Sequence, residues 1–327
     1  MKFILSFLLV FTIISSASLV DASEYYKVEP SKGIKAGVYK DGKLIIAAVN
    51  RKVHPGEDQD VILDVKKVKN TIFFTEYKTS NGSPMYILKM KNGKDKVKIL
   101  EDVIVNYMPK IATDGKYLYY VSTTKLRYGD LIRLSSDGKQ RTVLEKDVED
   151  FWYANNQLFY VKKHLGYSLT PPSAKKTQIS LGNRKLYPSS YSKVEYRTYN
   201  NYRISNNGIM YIVRKTKKDN YVFDFYSFKT KKITQHVIKS YSTLYNKEMS
   251  NILSEILDLD PSTSEFIESG TSGLELFSSG GRTIKTILTQ KETGNTDFPY
   301  LVRFLRVDIV KREIVFVKGT RLVTKKF

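Results

Sequence analysis

Short apolar runs alternate with polar turns along most of the chain. The runs are rich in Val, Ile, Tyr and Phe, and each follows a turn-forming pair such as Asp41-Gly42, Asp114-Gly115 or Asn207-Gly208. Apolar runs of this length after a tight turn predict β-hairpins rather than helices. The predicted leading strands lie at residues 44–49, 71–77, 117–122, 157–162, 209–214 and 283–289.

The spacing of these strands indicates a repeated unit. A second strand follows each one across a polar loop, and successive leading strands start 27, 46, 40, 52 and 74 residues apart. Steps of about 40–50 residues are typical of four-stranded propeller blades, which bury both sheet faces by radial repetition. We therefore predict an all-β fold, a β-propeller of about six blades within a domain at residues 23–327. An irregular β-sandwich and two stacked β domains are the alternatives.

Two units carry a more specific motif. Residues 114–120 read Asp-Gly-Lys-Tyr-Leu-Tyr-Tyr, and residues 131–139 read Leu-Ile-Arg-Leu-Ser-Ser-Asp-Gly-Lys. Residues 71–74 and 85–93 follow a similar order. The pattern resembles the repeats of bacterial secreted propellers related to the TolB C-terminal domain, over roughly half of the chain. The resemblance implies a scaffold of turn and core residues, and it carries over no catalytic position.

One segment departs from the repeat in both pattern and charge. Residues 240–280 contain seven acidic residues against the single base Lys247. Apolar residues at helical spacing predict an amphipathic helix at about 244–258, ending at Pro261. We interpret residues 240–281 as an acidic insertion of helix and loop packed on one rim of the domain. A partner-docking or lid element is the alternative interpretation.

The N-terminus predicts export. A basic start at Lys2 precedes a twelve-residue, mostly apolar stretch from Phe3 to Ile14 and then small residues up to Ala22. This order is typical of a signal peptide at residues 1–22, and the stretch is shorter than the roughly 20 residues that span a bilayer. A retained membrane anchor is the alternative. The chain has no Cys, which excludes a lipoprotein anchor and favours a bacterial exporter.

Few residues suggest catalysis or metal binding. The absence of Cys excludes thiolate nucleophiles, Fe–S clusters and zinc–thiolate sites. The three histidines, His54, His164 and His236, have no supporting motif. Acidic clusters at 57–64 and 258–262 could offer oxygen ligands to calcium, but the second lacks the glycine and the distal glutamate of an EF-hand loop. We predict no catalytic residue, no metal and no cofactor.

The charge of the chain is the strongest functional signal. Lys and Arg number 54 against 33 Asp and Glu, for a formal net charge of +21, and many lysines fall in predicted hairpin loops. A field of this sign attracts polyanions, which for an exported bacterial protein include teichoic acids, anionic lipid head groups and extracellular DNA. Protection of sheet edges by lysine is the alternative explanation. Sequence-specific nucleic-acid reading is not expected, because no helix-turn-helix or finger signature is present.

These features predict a secreted, non-enzymatic binding propeller that holds an anionic cell-envelope polymer or a protein partner through a basic surface. Aromatic faces beside fixed cations suit sugars and phosphorylated polymers. The predicted contact residues are Tyr187, Tyr191, Lys193, Tyr196, Arg197, Tyr199, Tyr202 and Arg203. A carboxylate-dependent lyase or glycosidase acting on an acidic glycan and a protein–protein scaffold are the alternatives. Electrostatic contact with a membrane surface is compatible with each of them.

Overall fold

The computed structural model is nearly all β. It describes residues 25–28, 33–48, 51–54, 57–59, 62–80, 83–104, 110–122, 129–154, 156–162, 179–181, 184–185, 202–205, 207–215, 220–239, 256–270, 273–293 and 304–327. Within these ranges there are 27 strands and one short helix, α1 (Gln290–Thr293). The predicted all-β class is therefore confirmed. No helix in these ranges is long and apolar enough to cross a membrane.

The first half of the chain forms three sheets and a separate hairpin. Sheet 1 contains β1 (Tyr26–Val28), β2 (Gly37–Lys40) and β3 (Lys43–Ala47), and the hairpin of β4 (Arg51–His54) and β5 (Glu57–Gln59) follows it. Sheet 2 contains β6 (Ile62–Val68), β7 (Thr71–Ser80), β8 (Ser83–Asn92) and β9 (Lys98–Ile104). Sheet 3 contains β10 (Ile111–Thr113), β11 (Tyr117–Ser122), β12 (Gly129–Ser135) and the first part of β13 (Arg141–Ala154).

The remaining described strands form sheets 4 to 7. Sheet 4 contains the last part of β13 with β14 (Gln157–Lys162), β15 (Ile179–Leu181) and β16 (Arg184–Lys185). It is the second part of one continuous seven-stranded sheet, β10 to β16, whose first part is sheet 3. Sheet 5 contains β17 (Tyr202–Ile204), β18 (Gly208–Lys215), β19 (Asn220–Ser227) and β20 (Ile233–Lys239). Sheet 6 contains β21 (Ile256–Leu259), β22 (Phe266–Gly270), β23 (Gly273–Phe277) and β24 (Thr283–Thr289). Sheet 7 contains β25 (Phe304–Asp308), β26 (Glu313–Lys318) and β27 (Arg321–Lys326).

The turn chemistry of the sequence accounts for the hairpins. The predicted strands at 117–122, 157–162 and 283–289 match β11, β14 and β24. Asp41 and Asn156 adopt left-handed backbone conformations, with φ of 49° and 56°. Asp, Asn and Gly tolerate this conformation, which is why they occur between the apolar runs.

Strand β13 belongs to two sheets at once. Residues Arg141 to Val148 pair with β12, and residues Val148 to Ala154 pair with β14, so that Val148 pairs with both. Asp147, directly before Val148, has a left-handed φ of 55°. Sheets 3 and 4 are therefore joined by one bent strand instead of a loop.

Each sheet packs its two faces against different neighbours. On β11, Leu118 and Tyr120 join a buried cluster with sheet 2, whereas Tyr119 and Val121 join a cluster with sheet 4. Successive strand residues point to opposite faces, so one apolar strand can serve two interfaces. Similar buried clusters join sheets 1 and 2, 5 and 6, and 6 and 7. Phe159 of sheet 4 stacks on Phe228, next to β19, with centroids 5.0 Å apart.

The first sheet also packs against the last. Tyr26, Val28 and Tyr39 are buried together, and Val317 and Leu322 of sheet 7 pack against them. The Tyr26 hydroxyl donates a hydrogen bond of 2.7 Å to the carbonyl oxygen of Thr320. In the described part of the chain these two sheets share no hydrogen-bonded strand.

The structure corrects the prediction for the acidic segment. Residues 256–259 form strand β21, so the helix predicted at 244–258 is wrong from Ile256 onward; residues 244–255 lie outside the described ranges. Ile256 and Leu259 face sheet 5, whereas Leu257 faces sheet 7. A strand buried on both faces is apolar throughout, and its pattern resembles that of a buried helix.

The interpretation of residues 240–281 as an insertion stays a prediction, although its described part forms strands. Residues from Ile256 to Phe277 supply β21, β22 and β23 of sheet 6, which is an ordinary four-stranded antiparallel sheet. The predicted count of about six blades stays a prediction. The predicted signal peptide at residues 1–22 lies outside the described ranges.

Candidate binding site between sheets 3 and 4

The predicted contact residues fall mostly outside the described ranges. The six in this position are Tyr187, Tyr191, Lys193, Tyr196, Arg197 and Tyr199. Tyr202 and Arg203 lie in β17, opposite Tyr211 and Met210 of β18. The predicted site therefore stays a prediction.

A cluster with the predicted chemistry lies at the junction of sheets 3 and 4. The Tyr117 ring at the start of β11 has the Arg133 guanidinium carbon 4.9 Å from its centroid and the Lys116 ammonium nitrogen 5.1 Å from it. Arg133 of β12 lies directly opposite Tyr119 of β11. Tyr117, two residues before Tyr119, points to the same sheet face, so strand pairing puts Arg133 on the face of Tyr117. These distances are within the range of cation–π attraction.

A buried tyrosine and an aspartate hold this cluster in place. The Tyr119 ring stacks on Tyr153 of sheet 4, with centroids 5.7 Å apart and planes 8° apart. The Tyr119 hydroxyl donates to Asp114 Oδ2 at 2.8 Å, and Asp114 Oδ1 accepts from the Lys116 and Tyr117 amides at 2.8 and 2.6 Å. Asp114 thus closes the turn that presents Lys116 and Tyr117.

The tyrosine hydroxyls and the aspartate of the cluster are engaged with one another. Burial, and then the Asp114 carboxylate, raise the pKa of Tyr119 far above its ordinary value. Burial and Asp114 also raise the pKa of Tyr153, so both hydroxyls stay protonated. Asp114 is engaged by these internal bonds. Across the described ranges neither Lys116 nor Arg133 forms an ion pair with a carboxylate.

Another arginine of sheet 3 illustrates the contrast. Arg141 Nε lies 3.2 Å from Glu101 Oε1, and the Tyr120 hydroxyl donates to the same oxygen at 2.7 Å. That guanidinium is neutralised by the protein itself. Arg133 instead has an aromatic ring as its neighbour, which leaves its charge available to an external anion.

A second aromatic–cation pair lies beside the cluster. The Lys110 ammonium is 4.1 Å from the ring centroid of Trp152, the residue before Tyr153. Trp152 is half-buried and is the only tryptophan of the chain. Its fluorescence can therefore report on this junction.

The structure places His236 in a structural role. Its ring is buried; Nδ1 lies 2.7 Å from Ser264 Oγ and Nε2 lies 2.8 Å from Thr234 Oγ1. Burial lowers the pKa of His236, so the neutral form is favoured. The bond to Thr234 stays within β20, whereas the bond to Ser264 joins sheet 5 to a turn of sheet 6.

The acidic cluster at 258–262 also has internal partners. Asp260 Oδ1 accepts from both the amide and the hydroxyl of Ser262, which closes a turn. Asp258 is fully buried. Within the described ranges no group of three or more His, Asp or Glu residues is placed to hold a metal ion.

Sequence reasoning missed the residues of the candidate site. Lys116 and Tyr117 belong to the Asp-Gly-Lys-Tyr motif, whose residues the sequence predicts as turn and core residues. Arg133 offered a signal, because it is the only charged residue in the apolar run Leu131 to Leu134. Its aromatic neighbour is 16 positions earlier, and only strand pairing brings the two together.

Comparisons with known proteins give distant structural similarity alone. No family model matches the chain, and no curated protein matches it. It resembles the Pyrococcus horikoshii acylaminoacyl peptidase at 11% identity and a TM-score of 0.44, over 78% of this chain and 42% of the peptidase, so it spans less than half of that enzyme. It resembles the N-terminal domain of Nup159 at 10% identity and a TM-score of 0.43, over 92% of this chain and 86% of that one.

A third solved structure is described as a β-propeller domain. It belongs to the Trilobed protease from Pyrococcus furiosus and matches at 11% identity and a TM-score of 0.34, over 81% of this chain and 94% of that one. Similarity at these levels is too low to transfer an activity, a ligand or a partner to this chain.

Proposed function

We propose that this protein is a secreted, non-enzymatic β-propeller that binds an anionic cell-envelope polymer at the junction of sheets 3 and 4. The observation that supports this function is the half-buried Tyr117 ring beside two cations, Lys116 and Arg133, that have no carboxylate partner in the part of the chain that the structure describes. A phosphate or carboxylate of the polymer can bond the guanidinium in a bidentate manner. The carbon skeleton of a sugar or polyol unit then packs on the exposed part of the Tyr117 ring.

The packing of the sheets supports a closed ring. Sheets 1 to 7 each pack on the next, and sheet 7 packs on sheet 1 through side chains such as Tyr26 and Val317. We propose a propeller of these seven sheets, with repeats of the TolB-like kind and the β4–β5 hairpin as an addition. Radial packing lets every sheet bury both faces, which suits the apolar strands seen here.

The basic charge and the leader sequence complete the proposal. A net charge of +21 raises the rate of encounter with a polyanion over the whole surface. Exposed lysines such as Lys94 and Lys96 lie in the turn before β9, and Lys98 begins this edge strand of sheet 2, where lysine also discourages edge pairing. Residues 1–22 direct the chain to the envelope, where teichoic acids are the polymers of the required charge.

The test measures the affinity for purified wall teichoic acid at increasing salt concentrations, with the change in Trp152 fluorescence as the binding signal. We expect the logarithm of the affinity to fall linearly with the logarithm of the salt concentration. Removing both site cations in a Lys116→Gln/Arg133→Gln variant should lower the affinity at least about tenfold, because one hydrogen bond to a charged group contributes about 1.5–3 kcal/mol. The salt slope should decrease by about 1 for each cation removed.

The matched control is Lys94→Gln/Lys96→Gln, which removes the same charge from exposed positions on sheet 2. It should retain nearly all of the affinity at moderate salt. Equal losses in the two double variants would mean that binding is diffuse and would contradict the site. Binding that does not respond to salt would contradict the polyanion, and new reducing ends from an acidic polysaccharide would favour an enzyme instead.

A further inference from the structure

A buried carboxylate lies where sheets 5, 6 and 7 meet. Asp258 of β21 is 0% exposed. Its Oδ2 accepts a hydrogen bond from Asn207 Nδ2 of sheet 5 and another from the Ile309 amide next to β25, both 2.9 Å long. Its Oδ1 accepts from the Leu259 amide at 3.0 Å. One side chain therefore joins three consecutive sheets.

A second buried acid lies beside it. Asp308, at the end of β25, has its Oδ1 3.4 Å from the same Asn207 amide nitrogen that bonds Asp258. Lys311 compensates Asp308, with its ammonium 3.5 Å from Oδ2 and its side chain 55% exposed. Asp258 itself has no ion pair within the described ranges. Two acids thus share one amide, and the deeper acid is the one without a cation.

The same arrangement occurs once more, between sheets 2 and 3. Ile62-Leu63-Asp64 and Ile256-Leu257-Asp258 share a sequence, and each aspartate follows a register shift in its strand. Asp64 accepts from the next amide in the chain, that of Val65, at 2.8 Å and from the Ile111 amide of sheet 3 at 3.1 Å. Its surroundings differ, because the Asp64 side chain is 25% exposed and pairs with Lys66 at 2.9 Å.

We propose that Asp64 and Asp258 are equivalent junction aspartates between consecutive sheets, and that Asp258 takes up a proton in mildly acidic solution and thereby tightens the junction of sheets 5, 6 and 7. A protonated carboxyl keeps lone pairs for the Asn207 and Ile309 donors, so the junction remains bonded in both states. Protonation changes only the negative charge of the Asp258 carboxylate, which is lost. The attachment of sheet 7, which packs against sheet 1, should therefore become more stable when Asp258 is protonated.

The direction of the pH effect follows from the environment. Burial above all, with a contribution from Asp308, raises the pKa of Asp258 to about 6, whereas its ordinary value is 3.8. An acid whose pKa is raised on folding costs stability above its folded value, and the cost disappears as the pH falls toward the unfolded value. A difference of about two pH units corresponds to a change of about 100-fold in the unfolding equilibrium constant.

Other charged groups near the junction also contribute to the pH dependence of stability. Sheet 7 contributes Asp308 and Lys311, and Arg312 pairs with Glu265 of sheet 6. The groups of sheet 5 that bond Asp258, Asn207 and Ser205, are uncharged.

Two more groups titrate near the turn of sheet 6. Asp260 has its pKa lowered by the Ser262 bonds in spite of partial burial. His236 has its pKa lowered by burial, so it destabilises the fold on acidification, opposite in sign to Asp258. The test must therefore compare variants at each pH instead of the wild type alone.

The experiment is urea unfolding of the full chain between pH 4.5 and 7.5 for the wild type, Asp258→Asn and the matched control Asp64→Asn. We expect the wild type to gain stability relative to Asp258→Asn as the pH falls, by about 30-fold in the equilibrium constant at pH 4.5, which lies about 1.5 pH units below the folded pKa. Asp64→Asn should lose stability because its bonds to the Val65 and Ile111 amides and to Lys66 weaken, and it should retain the gain on acidification that comes from Asp258. Hydrogen exchange at the Ile309 amide should slow on acidification more than base catalysis explains, and only when Asp258 is present.

An Asp258→Asn variant with the wild-type pH profile would overturn the proposal, as would an Asp64→Asn variant that loses it. If Asp258→Asn does not fold, Asp308→Asn provides the second test. Removing the neighbouring negative charge should move the carboxyl titration of Asp258, followed by carbon-13 NMR, to lower pH. An unchanged titration near the ordinary value of an exposed aspartate in both proteins would also refute it.

Discussion

Sheet 2 contains a buried ion pair whose replacement tests how this fold is stabilised. Glu76 of β7 is 1% exposed and Lys89 of β8 is 9% exposed, and the two side chains bond each other. Lys89 lies opposite Phe74, two residues from Glu76, so the pair shares a sheet face with apolar residues. Within the described ranges Glu76 Oε1 accepts no hydrogen bond. The carboxylate is therefore desolvated but only half satisfied.

The structure sets the size of the expected effects. Glu76→Leu leaves the Lys89 ammonium buried without a partner, and Lys89→Met leaves the carboxylate in the same state. Each single change should cost about 3–5 kcal/mol of unfolding free energy. The double variant removes both charges and packs against Phe74 and Ile72. It should be neutral or more stable than the wild type by about 1–4 kcal/mol, because the desolvation cost is removed.

The assay is a double-mutant cycle measured by urea unfolding. Trp152 fluorescence gives one transition and far-ultraviolet circular dichroism gives a second, and the two should coincide for a single cooperative unit. The expected coupling energy is several kcal/mol, since the two single losses do not add. If each single variant lost less than about 1 kcal/mol of unfolding free energy, or if the double variant lost the sum of the two single losses, a buried and costly ion pair would be refuted.

Two further variants test the closure of the fold and one tight turn. Tyr26→Phe removes the hydroxyl that donates to Thr320 and accepts from the Gly42 amide, so it should lower the free energy of unfolding in urea by about 1–3 kcal/mol. The control Tyr39→Phe breaks only a bond to the Lys35 carbonyl oxygen, and equal losses of stability in the two variants would contradict a role for Tyr26 in joining sheets 1 and 7. Gly138→Ala places a Cβ 2.8 Å from the Met90 sulfur at a left-handed φ of 74°. Gly93 has a φ of 48° and open space around it, so Gly138→Ala should lower the melting temperature more than Gly93→Ala does. Equal shifts would show that backbone conformation alone decides the cost.

The sequence determined the local structure of this protein wherever turn and strand signals agree. Strands such as β11 and β24 begin and end where the apolar runs do, because Asp-Gly and Gly-Gly pairs interrupt the backbone pattern. The charge and the absence of Cys are also properties of composition alone. These features depend on neighbours only a few residues apart.

Tertiary structure decided the rest, and β21 is the clearest example. Its residues fit a helical pattern until sheets 5 and 7 bury them from both sides, since burial on two faces removes the alternation that identifies a strand. The candidate site likewise needs Arg133 beside Tyr117, and the proton-sensitive junction needs Asp308 beside Asp258, 50 positions earlier. Electrostatic and packing energies depend on distance in space, and the order of residues along the chain does not contain that distance.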